Sequence, residues 1–337
     1  LGAFLAEQGE VLLAVSPELR PLVDLAGSYL AGGKRLRPSF CFWGWRAAGG
    51  DDTDGIFRAA ASLELLQACA LIHDDVMDAS DTRRGRPSAH RVFEAAHRER
   101  HWRGDAALFG EGAAILLGDL FLTWSDQLFS ASGLPATAIA RGRPRFDSMR
   151  AELMAGQYLD LVVQSQAEPD PVAIATVLRY KSAKYTIEHP LQLGALLAGA
   201  SQDLVAGLGA FGLPLGEAFQ LRDDLLGVFG DPAVTGKPAG DDLREGKQTL
   251  LIAEALAAGD ERQRALLRDG LGDPTLTDSD TERMRTAIRD TGADVAVERH
   301  IQSRLAQALA QLQTRDIPET ARGALAALAG ASTHRAR

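Results

Sequence analysis

Residues 71–87 read LIHDDVMDASDTRRGRP. Asp74, Asp75 and Asp78 close an apolar run, and Arg83 and Arg84 follow a few residues later. On a helix each residue advances about 100°, so Asp74 and Asp78 share a face one turn apart, with Asp75 on the adjacent side. Carboxylates at that spacing can hold a hard cation such as Mg²⁺, which prefers oxygen ligands, keeps waters and completes its shell with phosphate oxygens. When exposed, such like charges repel by only about 0.2–0.5 kcal/mol per pair, so the pattern alone also suits a solvated helix end. An EF-hand is excluded, because Val76 and Ala79 occupy positions that need a ligand and a glycine.

A second cluster weakens the solvated-end reading. FQLRDDLLGVFGDP places Asp223 and Asp224 late in another apolar run, with Gln220 one turn before Asp223. Each cluster is followed by a segment carrying Arg or Lys. Two carboxylate sets holding bridging metals could clamp a diphosphate, and the basic segments would neutralise its remaining oxygens.

The cations have their own grouping. AGGKRLRPSF, residues 31–40, puts Lys34, Arg35 and Arg37 directly after two glycines, which permit close backbone approach to an anion. It lacks the GxxxxGK[ST] pattern of a P-loop. Arg83 and Arg84 are adjacent, so on a regular element they point apart and can serve two different phosphate groups. RYKSAKYTIEHPL places Lys181 and Lys184 one helical turn apart, and Lys237 and Lys247 fall in and just after the segment following the second cluster.

Long helices are needed to position these residues. Alanine and leucine dominate and no alternating strand pattern persists, so helices are expected near 20–30, 36–48, 53–78, 108–130, 136–166, 184–200, 203–229 and 243–258, with several more to the C-terminus. Residues 79–106 and 230–248 are poor helix material and read as loops. No Pro/Ser linker divides the chain, so one all-α domain spanning 1–337 is expected. Hydrophobic residues make up 46% and charged residues 24%, enough for a sizeable core. The formal charge of −9 disfavours nucleic acid as a partner. No stretch reaches the eighteen or more uninterrupted apolar residues expected of a membrane span, and the N-terminus lacks the basic start of a signal peptide. Cys41 and Cys69 sit in apolar helical patterns and read as buried thiols in a reducing compartment, so a cytoplasmic location is expected.

Taken together, GGKRLRP, HDDVMD…RRG, KSAKYT, FQLRDD and GKPAGDDLREGK resemble the trans-isoprenyl diphosphate synthase (polyprenyl synthetase) family in order and spacing. The resemblance runs over about residues 20–255, with C-terminal helices to about 331. KSAKYTIEHPL and MRAELMAGQYLDL are most similar to bacterial geranylgeranyl diphosphate synthases. It implies an all-α helical bundle around a deep central cavity, usually a homodimer, with aspartate motifs on facing helices. It implies that Asp74, Asp75, Asp78, Asp223 and Asp224 bind Mg²⁺, and that Arg83, Lys181, Ser182, Gln220, Lys237 and Lys247 serve the allylic diphosphate. Isopentenyl diphosphate would sit on Lys34, Arg37, Gln67 and Arg84. Three positions depart from the commoner pattern: Gln67 replaces His, Ser182 replaces Thr, and Gly227 stands where the second motif often ends in Asp. His73 reads as a structural histidine.

The implied reaction is condensation of isopentenyl diphosphate with an allylic diphosphate. Product length would be set along the helix entering Asp74, at Ser62, Leu63, Leu66, Cys69 and Ala70. Cys69 and Ala70 are small where shorter-chain enzymes commonly place an aromatic floor. Leu66 lies about 12 Å below Asp74 by helix rise, which suggests a twenty-carbon product, with Phe121 a possible floor. Farnesyl and longer-chain synthases remain alternatives. A terpene cyclase would not need the GGKRLRP and RRG motifs, and non-catalytic synthase subunits typically lose one aspartate motif.

Overall fold

The apolar runs that precede the aspartates fold as long buried helices. A computed structural model describes residues 1–166, 170–230 and 240–334. Its contacts group the chain into two compact units, one of Leu1–Phe42 with Asp52–Ile139, the other of Trp43–Asp51 with Ala140–Arg337.

In the first unit, α1 (Gly2–Val15) and α2 (Arg20–Tyr29) precede α3 (Leu36–Ala47), which begins there, and α4 (Asp54–Met77). The Thr53 hydroxyl caps α4 by accepting from the Ile56 N–H at 3.4 Å, and Asp54 adds favourable charge in the first turn. One face of α4, with Leu65, Ala68, Cys69 and Ile72, packs on Leu117, Phe121 and Trp124 of α6 (Ala106–Ser130). Asp105 caps α6, accepting from the N–H groups of Ala107 at 2.8 Å and Leu108 at 3.2 Å. Near the aspartates the contact is polar: His73 Nε2 donates to the Ile115 carbonyl at 3.0 Å. Gly118 makes room for that ring, because a Cβ there would overlap the imidazole. His73 is therefore structural, as the sequence suggests.

The segment 79–106 is not a loop throughout. It forms a two-stranded hairpin, β1 (Thr82–Arg83) with β2 (Arg86–Pro87), and then α5 (Ala89–Glu99). Composition hid α5, whose many charged residues occupy one side. Ala89, Phe93 and His97, spaced four apart, are buried, and the helix packs against α6.

In the second unit, α7 (Ala136–Gln164) is followed by α8 (Pro171–Val177), a π-helical stretch Leu178–Glu188, α9 (His189–Ala198) and α10 (Gln202–Phe229). Helical structure thus starts at 171, earlier than the 184 read from sequence. Leu221, Leu225 and Val228 of α10 pack with Leu243, Leu251, Ile252, Val297 and Ile301, so the helices Leu250–Ala258 and Ala293–Gln313 close over α10. Of the second expected loop, residues 231–239 lie outside the described residues, and Asp241–Arg244 is a short helix.

Among the described residues three helices are long and apolar enough to cross a membrane by length and composition, contrary to the sequence expectation: α4, α6 and α10. The expectation required an uninterrupted apolar run, whereas these helices reach the same hydropathy with isolated polar residues. In α4 and α10, 67% of the apolar window is buried within the protein. In α6 the figure is 28%, and Leu108, Ile115 and Leu116 are exposed.

The close crossing of α4 and α6 makes a contrast measurable within one helix. Gly118→Ala should destabilise the protein by about 1–3 kcal/mol through overpacking against His73. Gly112→Ala, where a Cβ meets nothing within 4 Å, should stabilise by about 0.5–1 kcal/mol through helix propensity. Urea unfolding midpoints of the two variants should move in opposite directions.

Candidate active site

The first motif sits at the C-terminal end of α4, and its three carboxylates have different environments. Asp75 is fully buried. Arg83 Nε donates to its Oδ1 at 2.8 Å, Arg83 Nη2 also pairs with it, and the Tyr29 hydroxyl donates to Oδ2 at 3.3 Å. Asp74 lies 3.8 Å from the same guanidinium and is partly exposed, while Asp78 caps the helix, its N–H donating to the Asp74 carbonyl at 2.8 Å. Burial opposes the charge on Arg83, but Asp75, by charge and hydrogen bond, and Asp74 outweigh it and hold the guanidinium protonated. Burial and then the Asp75 charge push the Tyr29 phenol well above its ordinary value.

The hairpin explains how adjacent arginines serve different places. Arg84 and Gly85 both have positive φ, +54° and +70°, as a two-residue type I′ turn requires. Arg83 precedes the turn and reaches Asp75. Arg84, inside it, lies against the glycine loop, its guanidinium 3.2 Å from where a Cβ on Gly33 would be and its Nη1 3.5 Å from the Ala31 carbonyl. Gly32 and Gly33, at φ +82° and +90°, shape that loop, and Gly33 could not carry a side chain without moving Arg84. Lys34 is exposed and Arg37 half-buried in the first turn of α3. Arg35 is committed to Glu64 and the Leu30 carbonyl. On α4, Gln67 Oε1 is buried with no hydrogen-bond partner among the described residues.

The proposed length-setting residues divide between faces of α4. Cys69 packs in the cluster facing α6, in company with Phe121, which is wholly buried and in ring contact with Trp124 at 5.6 Å. Phe121 therefore belongs to this core. Ser62 is also buried, its hydroxyl donating to the Ala59 carbonyl at 2.6 Å and its carbonyl accepting from Ser125 at 2.8 Å. Leu63 and Leu66 are buried outside the α6-facing cluster, and Ala70 is half-buried.

In the second unit, Lys181 and Ser182 lie in the π-helical stretch, a form that often marks functional positions. Lys181 Nζ pairs with Asp160 of α7 at 2.6 Å, and Gln164 donates to the same carboxylate at 3.1 Å. Gly156 admits the Lys181 backbone to α7. Asp223 is exposed and Asp224 buried, its Oδ1 accepting from Gln220 Nε2 at 2.8 Å. Burial, with Asp242 and Asp223 nearby, pushes the Asp224 carboxyl up to about 8 despite the Gln220 bond. Lys247 Nζ pairs with Asp242 at 3.1 Å and Glu245 at 2.6 Å. Lys237 lies outside the described residues. Tyr29 and Asp160 escaped the sequence reading, because nothing in one-dimensional spacing links them to the charges they meet.

Among the described residues no three His, Cys, Asp or Glu side chains group tightly enough to hold an ion by themselves. The donor set is nonetheless all carboxylate oxygen, which suits a hard divalent cation that takes one or two protein ligands and finishes its shell with substrate phosphates and water.

Two tests follow from the buried carboxylates. Arg83→Met leaves Asp75 charged and buried, and should destabilise the protein by about 3–5 kcal/mol; adding Asp75→Asn should restore most of the loss, as read by denaturant unfolding. Asp224 is raised from the ordinary carboxylate range, so its stabilising share is complete below about 4 and is lost as pH rises through about 8. In EDTA, the wild type should lose melting temperature relative to Asp224→Asn between pH 5 and 9, while the two should agree at pH 5.

Comparison with known proteins places these features. The polyprenyl synthetase family model matches residues 20–289. A geranylgeranyl diphosphate synthase of Mycobacterium tuberculosis is 33% identical over 323 residues, covering 91% of this chain and 86% of its own length. A (2E,6E)-farnesyl diphosphate synthase of Mycobacterium bovis is also 33% identical, over 85% of this chain and 79% of that protein. The crystal structure of geranylgeranyl pyrophosphate synthase from Corynebacterium glutamicum, complexed with isoprenyl diphosphate and magnesium, superposes with a TM-score of 0.96 at 43% identity, covering 99% of this chain and 96% of that one. The chain belongs to the polyprenyl synthetase family and is a trans-prenyl diphosphate synthase, a prenyltransferase with the helical fold of that family.

Proposed function

We propose that this synthase joins isopentenyl diphosphate head to tail (1′-4) to allylic diphosphates, releasing diphosphate, with geranylgeranyl diphosphate as the product. The observation that carries the two-substrate reading is the divergence of Arg83 and Arg84. One guanidinium serves the aspartate motif and the other lies at the glycine loop with Lys34 and Arg37, so a single hairpin supplies two anion sites. A cyclase consumes one diphosphate and has no use for the second site.

In this reading Asp74, Asp75, Asp78, Asp223 and Asp224 form the metal motifs. Arg83, Lys181, Ser182, Gln220, Lys237 and Lys247 serve the allylic diphosphate, and Lys34, Arg37, Gln67 and Arg84 serve isopentenyl diphosphate. Bound Mg²⁺ would neutralise charge on the departing diphosphate. The lysines and arginines stabilise the same developing anion from fixed positions, which lowers the barrier to charge separation. The alkene of isopentenyl diphosphate bonds to the allylic carbon as its C–O bond breaks, and the proton then lost passes to the released diphosphate. Asp75, buried against Arg83, orients that guanidinium. Gln67, with its unbonded Oε1, would turn its amide donor toward the second substrate.

The small Ala70 and the medium-sized Leu66 support a product longer than farnesyl, in keeping with the names of the Mycobacterium tuberculosis geranylgeranyl diphosphate synthase and the Corynebacterium glutamicum structure but not with that of the Mycobacterium bovis farnesyl diphosphate synthase. The exposed apolar side chains of α6 are consistent with a homodimer, and the two buried free thiols with the cytoplasm.

Purified protein given Mg²⁺, labelled isopentenyl diphosphate and five-, ten- or fifteen-carbon allylic primers should yield a twenty-carbon diphosphate, abolished by EDTA. Asp74→Ala and Asp223→Ala should each lower turnover by at least about 10²–10³-fold with unchanged melting temperature. A fifteen-carbon product would retain the chemistry and reject the length; near-normal rates in either variant would reject the metal motifs.

A further inference from the structure

Asp223 of the second motif is exposed, whereas Arg222, the residue before it on α10, is only 5% exposed. A buried guanidinium must be paired and hydrogen-bonded to offset its lost hydration. Arg222 has two partners, and both lie outside the motif. Its Nε donates to the Thr333 carbonyl at 2.8 Å, at the end of the last helix, Glu319–Thr333. Its Nη2 pairs with Glu298 at 2.7 Å, on the helix Ala293–Gln313. Thr333 is the last residue of its helix, so its carbonyl is one of the final four that no N–H within the helix can satisfy. A guanidinium there satisfies that oxygen and meets the negative end of the helix dipole. This end is packed: Ala329 and Ser332 are fully buried and Thr333 is 1% exposed. Both anchors lie beyond residues 20–289, the span that the polyprenyl synthetase model matches.

A second ion pair fixes α10 against the same neighbour. Glu217, earlier on α10 and 7% exposed, pairs with Arg304 of the helix Ala293–Gln313 at 3.0 Å. The two pairs, Glu217–Arg304 and Arg222–Glu298, run in antiparallel order and have opposite polarity. A slide of α10 along its axis, or a roll about it, would break both. The Thr333 carbonyl adds a third fixed point, placed on the residue next to Asp223.

We propose that Arg222 is a positioning residue for Asp223: it sets the roll of α10 against the two C-terminal helices, so that anchors outside the family-matched span hold the second motif in place. This rests on the metal-motif reading above. Arg222 takes no part in holding metal itself. Its effect passes through the backbone, because any roll of α10 that frees the guanidinium carries the adjacent Asp223 with it. The last helix thereby becomes part of what defines the site, although none of its side chains belongs to the motifs.

The probe is Mn²⁺ with inorganic pyrophosphate, titrated into full-length protein and followed by electron paramagnetic resonance. Arg222→Lys keeps the charge, but a point ammonium cannot reproduce the forked contact. It should weaken Mn²⁺ binding about 2–30-fold. Glu298→Ala removes only the partly exposed anchor and should weaken binding in the same direction by less; it serves in place of Arg222→Lys where that variant is too unstable to titrate. In an Asp223→Ala background either change should weaken binding no further, since a residue that acts through Asp223 then has nothing to position. Leu267→Ala opens a cavity in the core that holds Leu221 and Leu225 of α10. It should lower the melting temperature and leave Mn²⁺ affinity unchanged. Wild-type affinity in the Arg222 and Glu298 variants, a loss that adds to that of Asp223→Ala, or an equal loss in Leu267→Ala would each overturn the assignment. The titration involves no turnover: wild type that condenses substrates beside unaffected variants rejects this role alone, whereas wild type that fails to condense rejects the function.

Discussion

A carboxylate at the C-terminal end of a helix faces the negative end of the aligned peptide dipoles, at a cost of about 0.3–1 kcal/mol for an exposed group. Burial raises that cost further. Asp74, Asp75 and Asp78, in the last turn and at the cap of α4, carry this burden, and Asp224, farther from the end of α10, carries that of burial. Each unit meets it differently. Asp75 is neutralised by Arg83, and Asp224 holds its proton to about 8. Asp74 is partly exposed and Asp223 exposed, whereas both carboxylate oxygens of Asp78 are buried.

The same constraint accounts for the backbone around the first motif. Arg83 must reach a fully buried carboxylate, so it precedes a tight turn packed against the end of α4. A type I′ turn then sends Arg84 elsewhere, and the left-handed glycines of the 31–37 loop receive it. Asp75 is best understood as the anchor of Arg83. In that role it places a guanidinium 3.8 Å from Asp74.

Much of this was legible in one dimension. Continuous apolar periodicity located α4 and α10 to within a residue or two, because helices buried on most faces tolerate few polar interruptions. The aspartates, arginines and lysines were visible as clusters for the same reason. α5 was not, since its apolar stripe of Ala89, Phe93 and Ala96 is narrow and its charged residues dominate composition. Nor was the π-helical stretch, whose departure from the α repeat places Lys181 against Asp160 through tertiary packing at Gly156. Tyr29 and Asp160 lie 46 and 21 residues from the charged groups they bond. Such pairings are decided by how helices cross, and a spacing rule carries no information about a crossing.

Chain-length control shows what the crossings add to the sequence. Cys69 and Ala70 are neighbours of similar size, and read along the chain they invite the same role. On α4 they are about 100° apart, and the α6 contact separates them. Cys69 is buried with Phe121, Leu117 and Ile72 in the core between α4 and α6. Enlarging it would act on the packing of α4 against α6 and so on stability. Ala70 is half-buried, and it shares its helical face with Leu66 and Leu63, one and two turns back, outside that core. On the proposed reading, length control falls to the face of α4 that carries the half-buried Ala70 with the fully buried Leu66 and Leu63, and Cys69 acts through the packing of α4 against α6.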